Sequence, residues 1–279
     1  MVDVSSQIQA FFATHKILTL AVAFVLGASF GSFINAVAMR TVAEKKWWGA
    51  ERSSCDACGR ALSSWDLIPV VSFLLLRGRC RYCGARIASR HLAAELLSAF
   101  LTAALLLRWG VSWALVLSLV LLWFSLFNSL TDLENGYIYD AMAVAPGLLG
   151  MALRVAGGGG ALLDGLLGGA LGFGLIAVII LLSRGGMGWG DAMLMLGIGA
   201  LLGWRHCAVG LYLGFLVGGI VILPLFLAKK LTRKDAVPLG PFLAAGSVLG
   251  LFVGDAILLR LHARSEEHTS ELQSRSAIS

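Results

Sequence analysis

The sequence predicts an all-α fold: a polytopic transmembrane helix bundle of about eight spans, with one long cysteine-bearing loop inserted after the first. Three observations carry this. The 279-residue chain is 58% hydrophobic and only 14% charged, with a mean hydropathy of +0.84, whereas soluble domains carry about 25% charged residues. Its apolar residues gather into runs near the ~20-residue length that crosses a bilayer. Its basic residues are segregated among the connecting segments.

The apolar runs place spans at residues 17–39, 92–109, 111–130, 138–155, 161–183, 190–204, 206–228 and 239–260. The 34 glycines suit close helix packing in lipid. The first span does not read as a cleavable signal peptide, because its apolar core is too long and no small-residue cleavage site follows it.

Orientation follows from the basic residues. Loop 40–91 holds ten of them: Arg40, Lys45, Lys46, Arg52, Arg60, Arg77, Arg79, Arg81, Arg86 and Arg90. Lys229, Lys230, Arg233, Lys234 and Arg184 fall on the same side, against Lys16, Arg108, Arg154 and Arg205 opposite. The positive-inside rule puts the N-terminus outside and loop 40–91 in the cytosol. The net charge of +6 is mostly this asymmetry, so nucleic-acid binding is not expected and the partner is the lipid bilayer.

Loop 40–91 carries two C-x2-C knuckles, Cys55/Cys58 and Cys80/Cys83, each followed by glycine and separated by 21 residues. That spacing predicts a four-thiolate zinc site, and four protein ligands leave no open position for chemistry, so its role is structural. A cytosolic compartment argues against disulfides. The run Leu67–Leu76 between the knuckles is too short to span and is expected to lie in the membrane interface or against the bundle. Cys207, alone in an apolar span, reads as core packing.

Two aspartates stand out. Asp132 and Asp191 sit at the ends of apolar segments, and the predicted topology delivers both to the cytosolic face. A carboxylate at membrane depth costs roughly 2.5–3.5 kcal/mol on insertion scales, which marks a functional candidate. The Asn135-Gly136 turn signal ends one span beside Asp132, and Gly188-Trp189-Gly190 leads into Asp191. Two carboxylates sharing one proton could activate water and polarise a peptide carbonyl; ion or proton translocation is the competing use of such a pair. Asp140 reads as a helix N-cap and Glu134 as an interface residue, while Asp164 and Asp255 read as solvated or hydrogen-bonded near the outer face. His91 and Glu95 are spaced as a local i,i+4 pair.

Several separated motifs resemble the prepilin leader peptidase family, the membrane aspartyl proteases of type IV pilus and type II secretion systems. Gly31-Ser32-Phe33-Ile34-Asn35 is similar to its GSFLN motif, and the two knuckles with Leu67-Ile68-Pro69-Val70 resemble its cytosolic zinc loop. Asp132 through Asp140 resembles its D-x5-I-P-D pattern, with Tyr139 in place of Pro. Gly188-Trp189-Gly190-Asp191 matches its GxGD motif, and Pro238–Leu243 resembles the motif before its last helix. The resemblance implies that Asp132 and Asp191 are the catalytic pair, acting without an acyl-enzyme. It implies a prepilin or pseudopilin substrate, cut after a glycine on the cytosolic side of the bacterial inner membrane to remove a short basic leader. It also implies N-methylation of the new terminus using S-adenosylmethionine. Met193 stands where the family usually has Lys, two residues beyond the GxGD aspartate.

The expected organisation is therefore 1–39, an N-terminal segment and first span; 40–91, the cytosolic four-cysteine zinc loop; 92–263, the transmembrane aspartyl peptidase domain; and 264–279. The last stretch, Arg264 to Ser274 above all, looks like the translation of a sequencing-adapter oligonucleotide, the other reading being a disordered tail. Two alternatives stay in view: a carboxylate-based membrane transporter with a regulatory zinc loop, and a catalytically altered relative that binds pilins in assembly, with Met193 as its marker.

Overall fold

The fold is described from a computed structural model, over residues 14–47, 52–156, 162–183, 187–230 and 237–276. Arg184, Arg233 and Lys234, used above for orientation, lie outside the described residues. Among the described residues all regular structure is helical, apart from two isolated antiparallel bridges. The chain divides into two compact units, Met1–Met142 and Ala143–Ser279.

The first unit contains α1 (Lys16–Val42), a 3-10 turn (Ser64–Leu67), the short α2 (Val71–Leu75), α3 (Ser89–Trp109), α4 (Trp113–Asn135) and the start of α5 (Asp140–Ala156). Helices α1, α3 and α4 pack on one another. Small residues let α1 and α3 approach: a Cβ on Gly27 would lie 2.7 Å from Thr102 Oγ1 and 2.8 Å from the Ser98 carbonyl oxygen. The Ser98 hydroxyl donates to the Gly27 carbonyl at 2.7 Å and accepts from Trp123 Nε1 at 3.3 Å, so one buried serine ties three helices. Phe30 stacks on Trp123 with centroids 4.2 Å apart. The opposite side of α1 stays bare, with Ile17 87%, Val25 61% and Phe33 63% exposed. Apolar surface of that extent belongs against lipid.

The second unit contains the rest of α5, then α6 (Leu162–Leu182), α7 (Trp189–Leu202), α8 (Trp204–Leu227) and α9 (Gly240–Ser276). Helix α6 packs on α7 and α8, and α8 packs on α9. Glycine sets the spacing here too: a Cβ on Gly168 would run into the Gly199 carbonyl, and one on Gly197 into the Ala143 carbonyl. Gly197→Val is therefore expected to destabilise by about 1–3 kcal/mol through overpacking, whereas Gly174→Val, facing open space, should leave the melting temperature in detergent nearly unchanged. At the α7–α8 corner Arg154 donates to Asp164 at 3.2 Å and to the Leu201 carbonyl at 3.1 Å, while Asp164 accepts the Trp204 amide at 3.3 Å. The pair thus satisfies one helix-end carbonyl and one helix-start amide that the helices cannot.

Among the described residues, eight helices match the eight expected apolar runs, and six of these are long and apolar enough to cross a membrane. The correction falls on α5, with 17 residues, and α7, with 14. At 1.5 Å per residue α7 spans about 21 Å, short of the ~30 Å hydrocarbon core. Helix α9 extends beyond its apolar part, Gly240–Arg260, to Ser276.

Candidate active site and metal centre

The two knuckles are built alike. In the first, the Cys55 amide donates to the Arg60 carbonyl at 3.0 Å and the Gly59 amide to the Cys55 carbonyl at 2.8 Å. In the second, Cys80 bonds Ala85 at 2.8 Å and Gly84 bonds Cys80 at 2.9 Å in the same pattern. Each turn closes through a glycine in the left-handed region, Gly59 at φ +68° and Gly84 at φ +72°, where a side chain would be strained. The result brings the four sulfurs within 4.8 Å of one another, with Cys55 and Cys83 Sγ 3.9 Å apart. None of the four cysteines is in a disulfide.

Their electrostatics suit a cation. Amides of Cys83 and Tyr82 hold the Cys80 thiol down to about 7, against the pull of burial. The Ala85 amide lowers Cys83, but burial and the neighbouring Cys58, Cys80 and Cys55 thiols outweigh it and push Cys83 up to about 11. Four converging thiols cannot all ionise unaided; a bound metal ion makes that state favourable, and the cluster could hold one.

Asp66 ties the turn between the knuckles to the second knuckle. Its Oδ1 accepts from Arg81 Nε at 2.7 Å, and its Oδ2 accepts from the Ser63 hydroxyl at 2.8 Å, the Ser63 amide at 3.1 Å and the Tyr82 hydroxyl at 3.2 Å. Arg60 lies over the Tyr82 ring at 4.3 Å. Burial raises the Asp66 carboxyl, but the bonds from Arg81 and Ser63 and the Arg81 charge outweigh it and bring it to about 2. The stabilisation is thus complete above the ordinary carboxyl value of 3.8 and lost as pH falls through about 2. Asp66→Asn is expected to release metal to a chelator several-fold faster at neutral pH, read with a colorimetric indicator.

Asp132 belongs to the first unit. It lies near the end of α4, 7% exposed, beside Asn128 and Thr131, which are fully buried. Gly136 at φ +67° ends the helix, its amide returning to the Asp132 carbonyl at 2.9 Å, as the Asn-Gly signal predicted. Asn128, one turn before Asp132, donates to the Met142 carbonyl at 3.3 Å. That carbonyl is four residues before Pro146, which has no amide to offer it. Asn128 thereby joins α4 to α5 beside Asp132, a role with no short-range sequence signal. Arg90 pairs with Glu134. Tyr139, in place of Pro, turns its hydroxyl toward the Thr41 carbonyl at 3.4 Å near the end of α1 and packs edge-on to Phe127. Asp140 is the first helical residue of α5 rather than its cap.

Asp191 belongs to the second unit. It lies in the first turn of α7, also 7% exposed, with Gly188 as the extended N-cap. Helix amides at that end favour negative charge; the last turn of α4 offers Asp132 no such field. Ala192, Leu194 and Met195 are buried around it, and Met193 is half-buried on the same turn.

Other expectations resolve simply. Cys207 is fully buried, as packing required. Asp255 pairs with His206 at 3.1 Å, and Asp164 with Arg154 as above. The expected local His91–Glu95 pair is replaced: His91 bonds Asn35 at 2.6 Å, and Glu95 accepts the Val70 amide at 2.7 Å.

Apolar spans, a loop-borne thiol quartet and buried carboxylates at helix ends together mark a multi-pass membrane protein that carries groups suited to acid–base chemistry. The chain matches the Bacterial Peptidase A24 N-terminal domain over residues 25–109 and the Type IV leader peptidase family over residues 119–223. It is 34% identical over 239 residues to a prepilin leader peptidase/N-methyltransferase of Bacillus subtilis (strain 168), covering 86% of this chain and 96% of that protein. Proteins of the same description from Burkholderia pseudomallei (strain K96243) and Pseudomonas aeruginosa are 32% and 28% identical, covering 90% and 88% of this chain and 91% and 94% of theirs. No solved structure gives a significant match. The chain belongs to the type IV leader peptidase family. It is a membrane peptidase, and the transporter alternative is set aside.

Proposed function

We propose that this protein is an aspartyl endopeptidase that removes the short basic leader from type IV prepilins or pseudopilins at the cytosolic face of the inner membrane, with Asp132 and Asp191 as its catalytic pair. The observation that carries the reading is the burial of two carboxylates, each 7% exposed, at the ends of apolar helices α4 and α7. Such burial is costly and is kept where it serves chemistry.

In this reading the ionised carboxylate takes a proton from water as the water attacks the scissile carbonyl. The protonated one donates to the developing oxyanion, and the proton then passes to the leaving amine. The position of Asp191 at a helix N-terminus favours it as the ionised partner. The positive-inside rule keeps a basic leader on the cytosolic side, where a cytosol-facing site could meet it, and the apolar pilin helix beyond the cut stays in the bilayer.

The thiol quartet is read as a structural zinc site held by Cys55, Cys58, Cys80 and Cys83. Tetrahedral zinc with sulfurs at about 2.3 Å places them roughly 3.8 Å apart, matching the 3.9 Å between Cys55 and Cys83. The relatives are also described as N-methyltransferases; the family resemblance extends this to N-methylation of the new pilin terminus, for which S-adenosylmethionine would supply the methyl group when bound.

The test is reconstitution of the protein with a prepilin, followed by mass spectrometry of the released peptide. Cleavage after a glycine between the basic leader and the apolar helix is expected. Binding of prepilins with no cleavage would instead favour the assembly-partner reading that Met193 raises.

A further inference from the structure

Residues 65–79, between the two knuckles, carry a bare apolar face. Trp65 is 74% exposed, Leu74 62% and Leu75 79%, with Leu67 and Val71 nearly half exposed. The other side of α2 is taken up within the unit: a Cβ on Gly78 would lie 2.9 Å from the Phe73 ring. Arg77 and Arg79 follow directly, exposed and without an ion pair among the described residues. The one carboxylate in the segment, Asp66, is already bonded by Arg81, Ser63 and Tyr82.

Two backbone features fix where this face lies. Glu95, six residues beyond Ser89 at the start of α3, accepts the Val70 amide at 2.7 Å. Helix α3 is long and apolar enough to cross a membrane, and at 1.5 Å per residue Glu95 lies about 9 Å along it. Val70 is the centre of a γ-turn, at φ +63° and ψ −51°, closed by the Val71 amide on the Pro69 carbonyl at 2.6 Å. Such a turn is rare, above all for a β-branched residue, and persists where its surroundings hold it. Bond and turn together set the start of α2 beside α3. That is the depth at which interfacial helices bury their apolar side, about 5–10 Å into the headgroup and acyl boundary. Packing against the bundle accounts for Phe73 but not for Trp65, Leu74 or Leu75.

We infer that this face is a lipid-docking surface, which holds the cysteine loop down on an anionic leaflet of the bilayer. Trp65, Leu74 and Leu75 enter among the acyl chains, and Arg77 and Arg79 meet lipid phosphates. Tryptophan suits that level because its ring is apolar and its N–H is polar. Arginine holds a phosphate through two parallel N–H bonds. The thiol quartet is tied to the same surface through Gly78. Its amide donates to the Phe73 carbonyl at 2.8 Å, and its carbonyl accepts the Ile87 amide at 2.8 Å, just beyond the second knuckle.

The experiment places the full chain in lipid nanodiscs of phosphatidylcholine, with or without phosphatidylglycerol. Trp65 emission is read as the difference between wild type and Trp65→Phe, with acyl-brominated lipid and aqueous acrylamide as quenchers. The expected result is quenching of Trp65 by brominated lipid and several-fold weaker quenching by acrylamide than for a free indole. Leu74→Ser with Leu75→Ser should reverse both at unchanged zinc content and unchanged melting temperature in detergent. Shielding should be stronger with phosphatidylglycerol, and Arg77→Gln with Arg79→Gln should abolish that difference. A Trp65 open to acrylamide and untouched by brominated lipid would mean that the face meets water or a protein partner, and would overturn the inference. Shielding that survives the serine pair would mean that protein covers Trp65, with the same consequence. Equal shielding in the two lipid compositions would overturn the assignment of the arginines to anionic headgroups.

Discussion

Asp132→Asn and Asp191→Asn are each expected to lower leader cleavage by roughly 10³-fold or more while leaving zinc content and expression unchanged. Asparagine preserves the size of the side chain but can neither ionise nor share a proton. General acid–base catalysis by one positioned group contributes roughly 10²–10⁴-fold, and members of a catalytic unit usually fail together. Both carboxylates are buried, and asparagine keeps their size without adding a charge to an apolar setting, so neither replacement should unfold the protein. Loss of activity with an unchanged or raised melting temperature would separate a catalytic role from a structural one. The check is a co-expressed prepilin resolved by gel shift.

The second large effect concerns the thiol quartet. Cys55→Ser with Cys83→Ser is expected to take bound zinc from about one per chain to none, measured by emission spectroscopy on purified protein. The loop should then become open to protease. It has little else to hold it: among the described residues, Cys80 is the one buried hydrophobic residue between Ala38 and Ala94. Its regular structure amounts to two isolated bridges, a 3-10 turn and a five-residue helix. A segment without a core depends on its metal, whose binding is worth on the order of 10 kcal/mol in zinc-finger peptides. Chelation of wild type should reproduce the variant.

What was legible in the sequence had a short-range cause. The knuckles announce themselves because cysteine spacing and the following glycines fix the local turn. The end of α4 at Gly136 follows from Asn135-Gly136 for the same reason. Helix number was legible from hydropathy, but length was not. Apolar residues continue through the turn at Gly203, φ +87°, so the 14-residue α7 read as a full span. Contacts made across the fold left no such trace. Asn35 and His91 are 56 positions apart, and Glu95 finds its partner in the Val70 amide, 25 residues away on the other side of the loop. The i,i+4 rule offered His91–Glu95 because it sees only one helix. Asn128 was invisible because its purpose depends on Pro146 having silenced an amide on a different helix.

The central claim is that Asp132 and Asp191 act as one proton-sharing pair, and a binding cycle tests it even in inactive variants. The probe is a leader-spanning pilin peptide with a statine hydroxyl at the scissile position, a mimic of the tetrahedral transition state. Its affinity is measured for wild type, Asp132→Asn, Asp191→Asn and the double variant. The account predicts that each single change weakens binding by about 10²-fold or more, and that the double is hardly weaker than either single. Losses that multiply in the double variant, or one single variant binding like wild type, would contradict it.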